Sequence, residues 1–155
     1  MNTQDVFVPG STIGIIGGGQ LGRMSAVAAS KLGYHVHVLS PEFPSPATEV
    51  AASVTVGAYD DPAVLEDFAS RCDVVTFEFE NISAEGLALL ERHRPVRPAG
   101  EILRISQDRI TEKTRLSEIG VSLAPWHAVN GPEDLLGLET LGFPLILKTT
   151  RFGYD

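Results

Sequence analysis

A β-branched run that dissolves into glycines and re-emerges with helical spacing constrains this chain more than any other feature. In Thr12-Ile-Gly-Ile-Ile-Gly-Gly-Gly-Gln-Leu-Gly-Arg-Met24, Ile13, Ile15 and Ile16 suit a buried parallel strand. Leu21, Met24, Ala28 and Leu32 recur at the spacing of one helix face. The chain therefore turns from strand to helix at Gly17, Gly18 and Gly19. Glycines there permit a tight turn and close approach of a ligand to the backbone, and free amides at the helix start favour an anion. Gly17, Gly19 and Gly22 also satisfy the GxGxxG dinucleotide pattern, which by itself admits several ligands.

The 155 residues suffice for one good core and part of another unit. A formal charge of −8 and the lack of any basic run argue against a nucleic-acid surface. Cys72 is the lone cysteine, which excludes an internal disulfide framework, suits a reducing compartment and reads as small core filler. No apolar stretch approaches the roughly 18 residues of a membrane span, and the first ten residues lack the order of a signal peptide. A cytoplasmic protein with no membrane partner is expected.

Strands and helices then alternate. Residues 1–11 read as a loose leader. After the first helix, Lys31-Leu-Gly33 supplies a basic last turn and a glycine stop, and His35-Val-His-Val-Leu39 reads as a second strand. His35 and His37 share a face of it, as a metal pair would, but exposed strand histidines are commoner and no third ligand lies nearby. A proline-rich loop over 41–46 leads to a possible short helix at 47–52 and a strand at 53–56. Asp61 caps and Pro62 opens a helix with Val64, Leu65 and Phe68 on its buried stripe. Residues 73–80 form a fourth strand, Ser83 caps a helix carrying Leu87 and Leu90, and 94–98 gives a short edge strand. This alternation specifies an α/β fold, a Rossmann-like parallel sheet with helices on both faces and right-handed crossovers.

The pattern changes near Pro98. A helical turn at 102–105 and a charged helix over 107–119 are followed by a short strand after Pro125-Trp126, a helix over 132–141 and a strand over 143–148. Residues 1–98 thus form one domain, and 99–155 the opening of a second.

Three groups of residues beyond the loop could carry chemistry. The second strand ends Leu39-Ser40-Pro41, without the acidic residue that a nicotinamide dinucleotide wants at that point, so a smaller phosphate ester fits the loop better, with Gln20 at the helix mouth. Thr76, Glu78 and Glu80 alternate along one strand and share a face; the carboxylates could meet ribose hydroxyls or an amine, or Glu80 could simply solvate the sheet edge. Lys148 ends an apolar strand, where its ammonium would need an anion or water.

Together Gly17-Gly-Gly-Gln-Leu-Gly-Arg-Met24, Thr76-Phe-Glu-Phe-Glu-Asn81, Gln107-Asp-Arg109 with Glu112-Lys113, Ala124-Pro-Trp126, and Lys148 followed by Gly153-Tyr-Asp155 resemble the 5-(carboxyamino)imidazole ribonucleotide synthetases, ATP-grasp ligases of purine biosynthesis. The resemblance runs from Ile13 to the last residue. It implies a pre-ATP-grasp domain followed by the start of an ATP-grasp domain. It also implies a reaction in which ATP phosphorylates bicarbonate and the amino group of 5-aminoimidazole ribonucleotide is then carboxylated. Carried over by motif, Gly19, Gln20 and Leu21 would hold the ribonucleotide phosphate and Glu78 its ribose. Arg109, Lys148 and Gly153 would serve ATP, Tyr154 would face the aminoimidazole, and Asp155 would orient or deprotonate the amine as the catalytic residue. The resemblance further implies a homodimer. Magnesium (Mg2+) ligands are expected beyond Asp155, none within the chain, so the 155 residues alone are expected to be an inactive fragment. Two alternatives stand beside this reading: a formate-dependent glycinamide ribonucleotide transformylase fragment, and a non-catalytic Rossmann-like nucleotide-binding module.

Overall fold

The computed structural model describes residues 6–152. Strand β1 (Thr12–Ile16) runs into helix α1 (Gln20–Lys31), followed by β2 (His35–Ser40), β3 (Ser53–Val56), α2 (Pro62–Ser70), β4 (Val74–Phe77) and α3 (Ala84–Leu90). The four strands are parallel in the order β3-β2-β1-β4. The chain therefore works outward from β1 through β2 to β3, then crosses back to place β4 on the other side of β1. That reversal is a topological switch point, and in open α/β sheets ligands bind outside the carboxyl ends of the strands at such a point.

Alternation along the strands splits the core in two. Ile15, Val36 and Val38 pack with Ala26, Ala29 and Ala47 on the α1 side, while Ile16, Leu39 and Val75 pack with Leu65, Phe68, Leu87 and Leu90 on the other. Helices cover both faces, as the alternating pattern predicts.

The local signals for α2 and α3 act as expected. The Asp61 carboxylate accepts from the Ala63 amide at 2.9 Å and the Ser83 hydroxyl from the Gly86 amide at 3.0 Å, satisfying donors that a helix start otherwise leaves unpaired. Cys72 is buried, its thiol donating to the Phe68 carbonyl, and burial pushes its pKa up to about 12.

Several expectations need correction. In α1 the buried residues are Gly22, Ala26 and Ala29, whereas Leu21, Met24 and Leu32 are 59%, 66% and 68% exposed. The helix lies so near the sheet that a methyl group on Gly22 would sit 2.9 Å from the Gly17 carbonyl, and only small residues fit that face. Residues 47–52 turn rather than form a helix. The Thr48 hydroxyl accepts from the Ser45 amide at 2.7 Å and donates to the Ser45 carbonyl at 2.9 Å, and the backbone makes only isolated turn bonds, Glu49 amide to Ser45 carbonyl and Val50 amide to Ala47 carbonyl, both at 3.2 Å. The fourth strand ends at Phe77, short of Glu78 and Glu80. Residues 94–98 contribute a single parallel bridge, Val96 to Val75.

His37 is fully buried rather than exposed, while His35 is exposed. Its ring stacks on Phe68 at 5.3 Å, with Nδ1 2.6 Å from Ser53 Oγ and Nε2 2.9 Å from Thr55 Oγ1. Thr55 spends its proton on Asp67 at 3.1 Å, so it accepts from Nε2–H, and Nδ1 accepts from Ser53. Burial lowers the pKa of His37, and Arg71 acts in the same direction.

Contacts divide the chain into two compact units, 1–103 and 104–155. Helix α4 (Gly100–Ser106) buries Leu103 in the first core. In the second unit the helix expected over 107–119 is α5 (Arg109–Glu118), which begins two residues later because Asp108 caps it, accepting from the Ile110 and Thr111 amides; none of its residues is buried. The helix expected over 132–141 is instead two 3-10 turns, Pro132–Leu135 and Leu138–Leu141, separated by Gly137 at φ +87. The segments expected as strands after Trp126 and over 143–148 carry no ladder among the described residues, and 143–144 are a bend. Apolar residues suit a strand, but a strand exists only where a neighbour takes its hydrogen bonds.

Candidate functional site

The carboxyl ends of β1 and β2 and the segment after β4 surround a cleft of about 300 Å3. Gly17 makes the turn at its base with φ +123, its amide bonded to the Leu39 carbonyl at 3.0 Å. That φ is one that side-chain-bearing residues rarely adopt. Gly19 then caps α1 in an extended conformation. Across from it the Glu78 amide donates to the Ile16 carbonyl at 3.2 Å, which carries the chain one step past β4 and aims the side chain back at the helix start.

The Glu78 carboxylate lies on that helix start. Oε1 accepts from the Gly19 amide at 2.6 Å and Oε2 accepts from the Gly22 amide. Amides at a helix N-terminus carry partial positive charge, and a carboxylate is a suitable counterpart. The Gln20 and Leu21 amides, first in the helix, have no acceptor among the described residues. Their side chains are exposed. Of the loop residues expected to hold phosphate, Gln20 and Leu21 thus keep free donors, whereas the amide of Gly19 is engaged by Glu78.

Three cleft residues escaped the sequence reading. Ser40, at the end of β2, is buried and accepts from the Glu42 amide at 3.2 Å. Ser45 is also buried, and with Ser40 it stands so near Gly18 that a methyl group there would collide with both hydroxyls. Tyr59, three residues past β3, lines the same cleft. Burial raises its phenol pKa above the usual value, opposed by its bond with the Ser40 side chain. The available signal was position: all three lie at or just past the carboxyl ends of parallel strands. The loop that carries Ser45 is tied to α1 by Arg23, whose guanidinium donates to the Pro46 carbonyl at 3.0 Å and pairs with Glu49 at 2.7 Å.

In the second unit, Arg109 opens α5 and its amide donates to the Thr150 carbonyl at 2.9 Å. That bond brings the stretch beginning at Lys148 to the start of α5. Asp108 lies 3.9 Å from Arg151, and its carboxyl is held below the usual range chiefly by the Thr111 amide. Lys148 itself is exposed. Lys113 stands 6.0 Å above the Trp126 ring. Gly153, Tyr154 and Asp155 lie outside the described residues. Among those described, no three His, Cys, Asp or Glu side chains gather as a metal site, and no helix is long and apolar enough to cross a membrane.

Two free amides at a helix start, a carboxylate beside them and a hydroxyl-lined wall can bind a phosphate ester and its polyol. They provide no nucleophile with a base. Known proteins resemble the chain over most of its length. Residues 10–107 match the family model for the ribonucleotide synthetase preATP-grasp domain. An N5-carboxyaminoimidazole ribonucleotide synthase from Brucella melitensis is 49% identical over 148 residues, covering 95% of this chain and 41% of the relative. The crystal structure of N5-carboxyaminoimidazole synthetase from Staphylococcus aureus complexed with ADP superposes with a TM-score of 0.90 at 43% identity, over 96% of this chain and 40% of that one. An Aspergillus clavatus N5-carboxyaminoimidazole synthase in complex with ADP and 5-aminoimidazole ribonucleotide gives 0.84 at 31% identity, over 94% and 40%. The chain thus spans about two fifths of the length of the N5-carboxyaminoimidazole ribonucleotide synthases it matches.

Proposed function

Because the chain belongs to the ribonucleotide synthetase preATP-grasp family, we propose that its cleft holds 5-aminoimidazole ribonucleotide for ATP-dependent carboxylation of the exocyclic amine. In the proposed reaction bicarbonate attacks the γ-phosphorus of ATP, releasing ADP and forming carboxyphosphate. The amine then takes the carboxyl carbon as phosphate leaves and the amine proton is lost, giving 5-(carboxyamino)imidazole ribonucleotide. The observation that carries this reading is the free pair of Gln20 and Leu21 amides beside the Glu78 carboxylate, a donor set for the phosphate facing an acceptor for the ribose hydroxyls.

Gly19 serves by close approach, since a methyl group there would lie 3.0 Å from Glu78 Oε1. Residues 1–98 form the ribonucleotide-binding domain and 99–155 the opening of the ATP-grasp domain. Arg109 and Lys148, with Gly153, meet the nucleotide phosphates; the bond from Arg109 to Thr150 supports their belonging to one site. Tyr154 faces the aminoimidazole, and Asp155 orients or deprotonates its amine. The magnesium ligands of the proposed reaction lie outside the described residues, none of which gather as a metal site. A cytoplasmic homodimer belongs to the same proposal, supported by the family resemblance and by the lone, buried Cys72.

Melting of the chain with each ligand in turn tests the assignment, since a ligand stabilises the state that binds it. 5-Aminoimidazole ribonucleotide should raise the melting temperature more than glycinamide ribonucleotide. A larger rise with glycinamide ribonucleotide would move the assignment to the formate-dependent transformylase, and a rise with NADH alone would overturn it.

A further inference from the structure

The dinucleotide pattern is complete in this chain, yet the start of its helix already holds an anion of the chain's own. In a dinucleotide site the second glycine lets the pyrophosphate reach the backbone at the helix start, and an acidic residue after the second strand takes the ribose hydroxyls. Here the second and third glycines, Gly19 and Gly22, donate their amides to the Glu78 carboxylate. The fit is close, for a methyl group at Gly17 would collide with the Glu78 side chain. Glu78 is also pinned from behind by its amide bond to Ile16, 3.2 Å long, so its side chain leaves from a fixed point. At the second position β2 ends in buried Ser40, a neutral hydroxyl that accepts from the Glu42 amide, where a dinucleotide site has a carboxylate.

We propose that Glu78 is a specificity-determining residue, excluding dinucleotides by filling the pyrophosphate position with a carboxylate and leaving the loop to monophosphates. A diphosphate laid across Gly19 and Gly22 would press its charge against Glu78 in a half-buried cleft, where like charges repel with little screening. A single phosphate on the Gln20 and Leu21 amides uses donors that Glu78 leaves open. The monophosphate half of this inference rests on the ribonucleotide reading above; the exclusion of dinucleotides does not.

Calorimetric titration of the 155-residue chain with ribose 5-phosphate and with NADH tests both halves. The unaltered chain should bind ribose 5-phosphate and not NADH. Glu78→Gln and Glu78→Ala should each gain NADH affinity by about tenfold or more, Glu78→Ala the more strongly. The inference is overturned if the unaltered chain binds NADH as tightly as the variants do, or if folded variants gain nothing. Amide exchange in the unaltered chain gives a reading independent of how the variants fold. Gly19 and Gly22 should be protected without ligand, and free exchange at both would equally overturn the inference. If the unaltered chain binds neither ribose 5-phosphate nor 5-aminoimidazole ribonucleotide while the NADH gain holds, the exclusion stands and the proposed function falls.

Discussion

Asp61 and Asp108 open their helices in the same way, each carboxylate accepting two backbone amides, yet α2 buries Leu65, Phe68 and Ala69 while α5 buries nothing. The first belongs to the unit 1–103, where parallel strands offer two faces to fill; the second belongs to 104–155, where the described residues form no ladder. Local capping chemistry reads the same in both units. What differs is whether an apolar stripe finds a surface, and helical stability in proteins comes mainly from that packing. Phe143, Ile146 and Leu147 are 77%, 82% and 75% exposed, although their composition matches that of the core strands.

Substitution of apolar residues should widen this contrast most. Phe68→Ala removes a ring with no exposed surface and should destabilise the first unit by about 3–5 kcal/mol, measured by urea denaturation. Ile146→Ala should change stability by no more than about 0.5 kcal/mol, as for an ordinary exposed position. Equal losses would mean that residue 146 is buried in solution and that the two units are alike.

A smaller effect is expected at the close approach of α1. Gly22→Ala sets its methyl group against the Gly17 carbonyl and the Ala47 side chain, and should cost about 1–3 kcal/mol by the same assay. Binding of 5-aminoimidazole ribonucleotide should weaken with it, because α1 and Glu78 must then move apart.

Removing the caps compares the units directly. Asp61→Ala should lower global stability by about 1 kcal/mol, whereas Asp108→Ala should speed amide exchange in α5 and leave the exchange of β1 unchanged. Slower exchange of β1 than of α5 is the expected background. A fall in β1 protection in the Asp108 variant would show that the two units unfold as one.

The smallest effect is one of pH. The folded pKa of His37 lies below its ordinary value of 6.5, chiefly through burial and then through Arg71, with Asp67 acting in opposition. The unfolded chain therefore binds this proton more readily. The contribution is fully present above pH 6.5 and is lost as pH falls from 6.5 towards the lower folded value. Asp67, whose pKa is lowered chiefly by its bond from Arg71, adds a separate loss only as pH falls below 3.8. Denaturation midpoints at pH 7.5 and 5.5, as working values spanning the ordinary histidine range, should fall for the unaltered chain and fall less for His37→Gln. An equal fall in both would place the dependence elsewhere.

Much of the first unit was legible because its signals are local. Asp61-Pro62, Ser83 and the glycine turn at Gly17 each act within a few residues, and the β-branched run of β1 marks it as a buried strand. The buried face of α1 was not legible. Leu21 and Met24 are the larger apolar residues, but the distance between helix and sheet is set by Gly22, Ala26 and Ala29, and that distance is a tertiary quantity. His37 misled for a related reason: its partners, Ser53 and Thr55, lie on a strand that only the fold brings alongside. Of the cleft, the glycine loop and Glu78 could be named from their motifs. The carboxylate's seat on the helix amides and the wall of Ser40, Ser45 and Tyr59 depend on three chain segments converging after their strands.

Cys72 gives the chain an experimental convenience. With the thiol buried and its pKa pushed up to about 12, it stays protonated and shielded at pH 7, and maleimide or iodoacetamide should pass it by. A cysteine introduced at exposed Gln20, at the mouth of the cleft, would then be the one reactive thiol on the molecule. A fluorophore attached there would report ligand arrival without any need to remove the native sulfur.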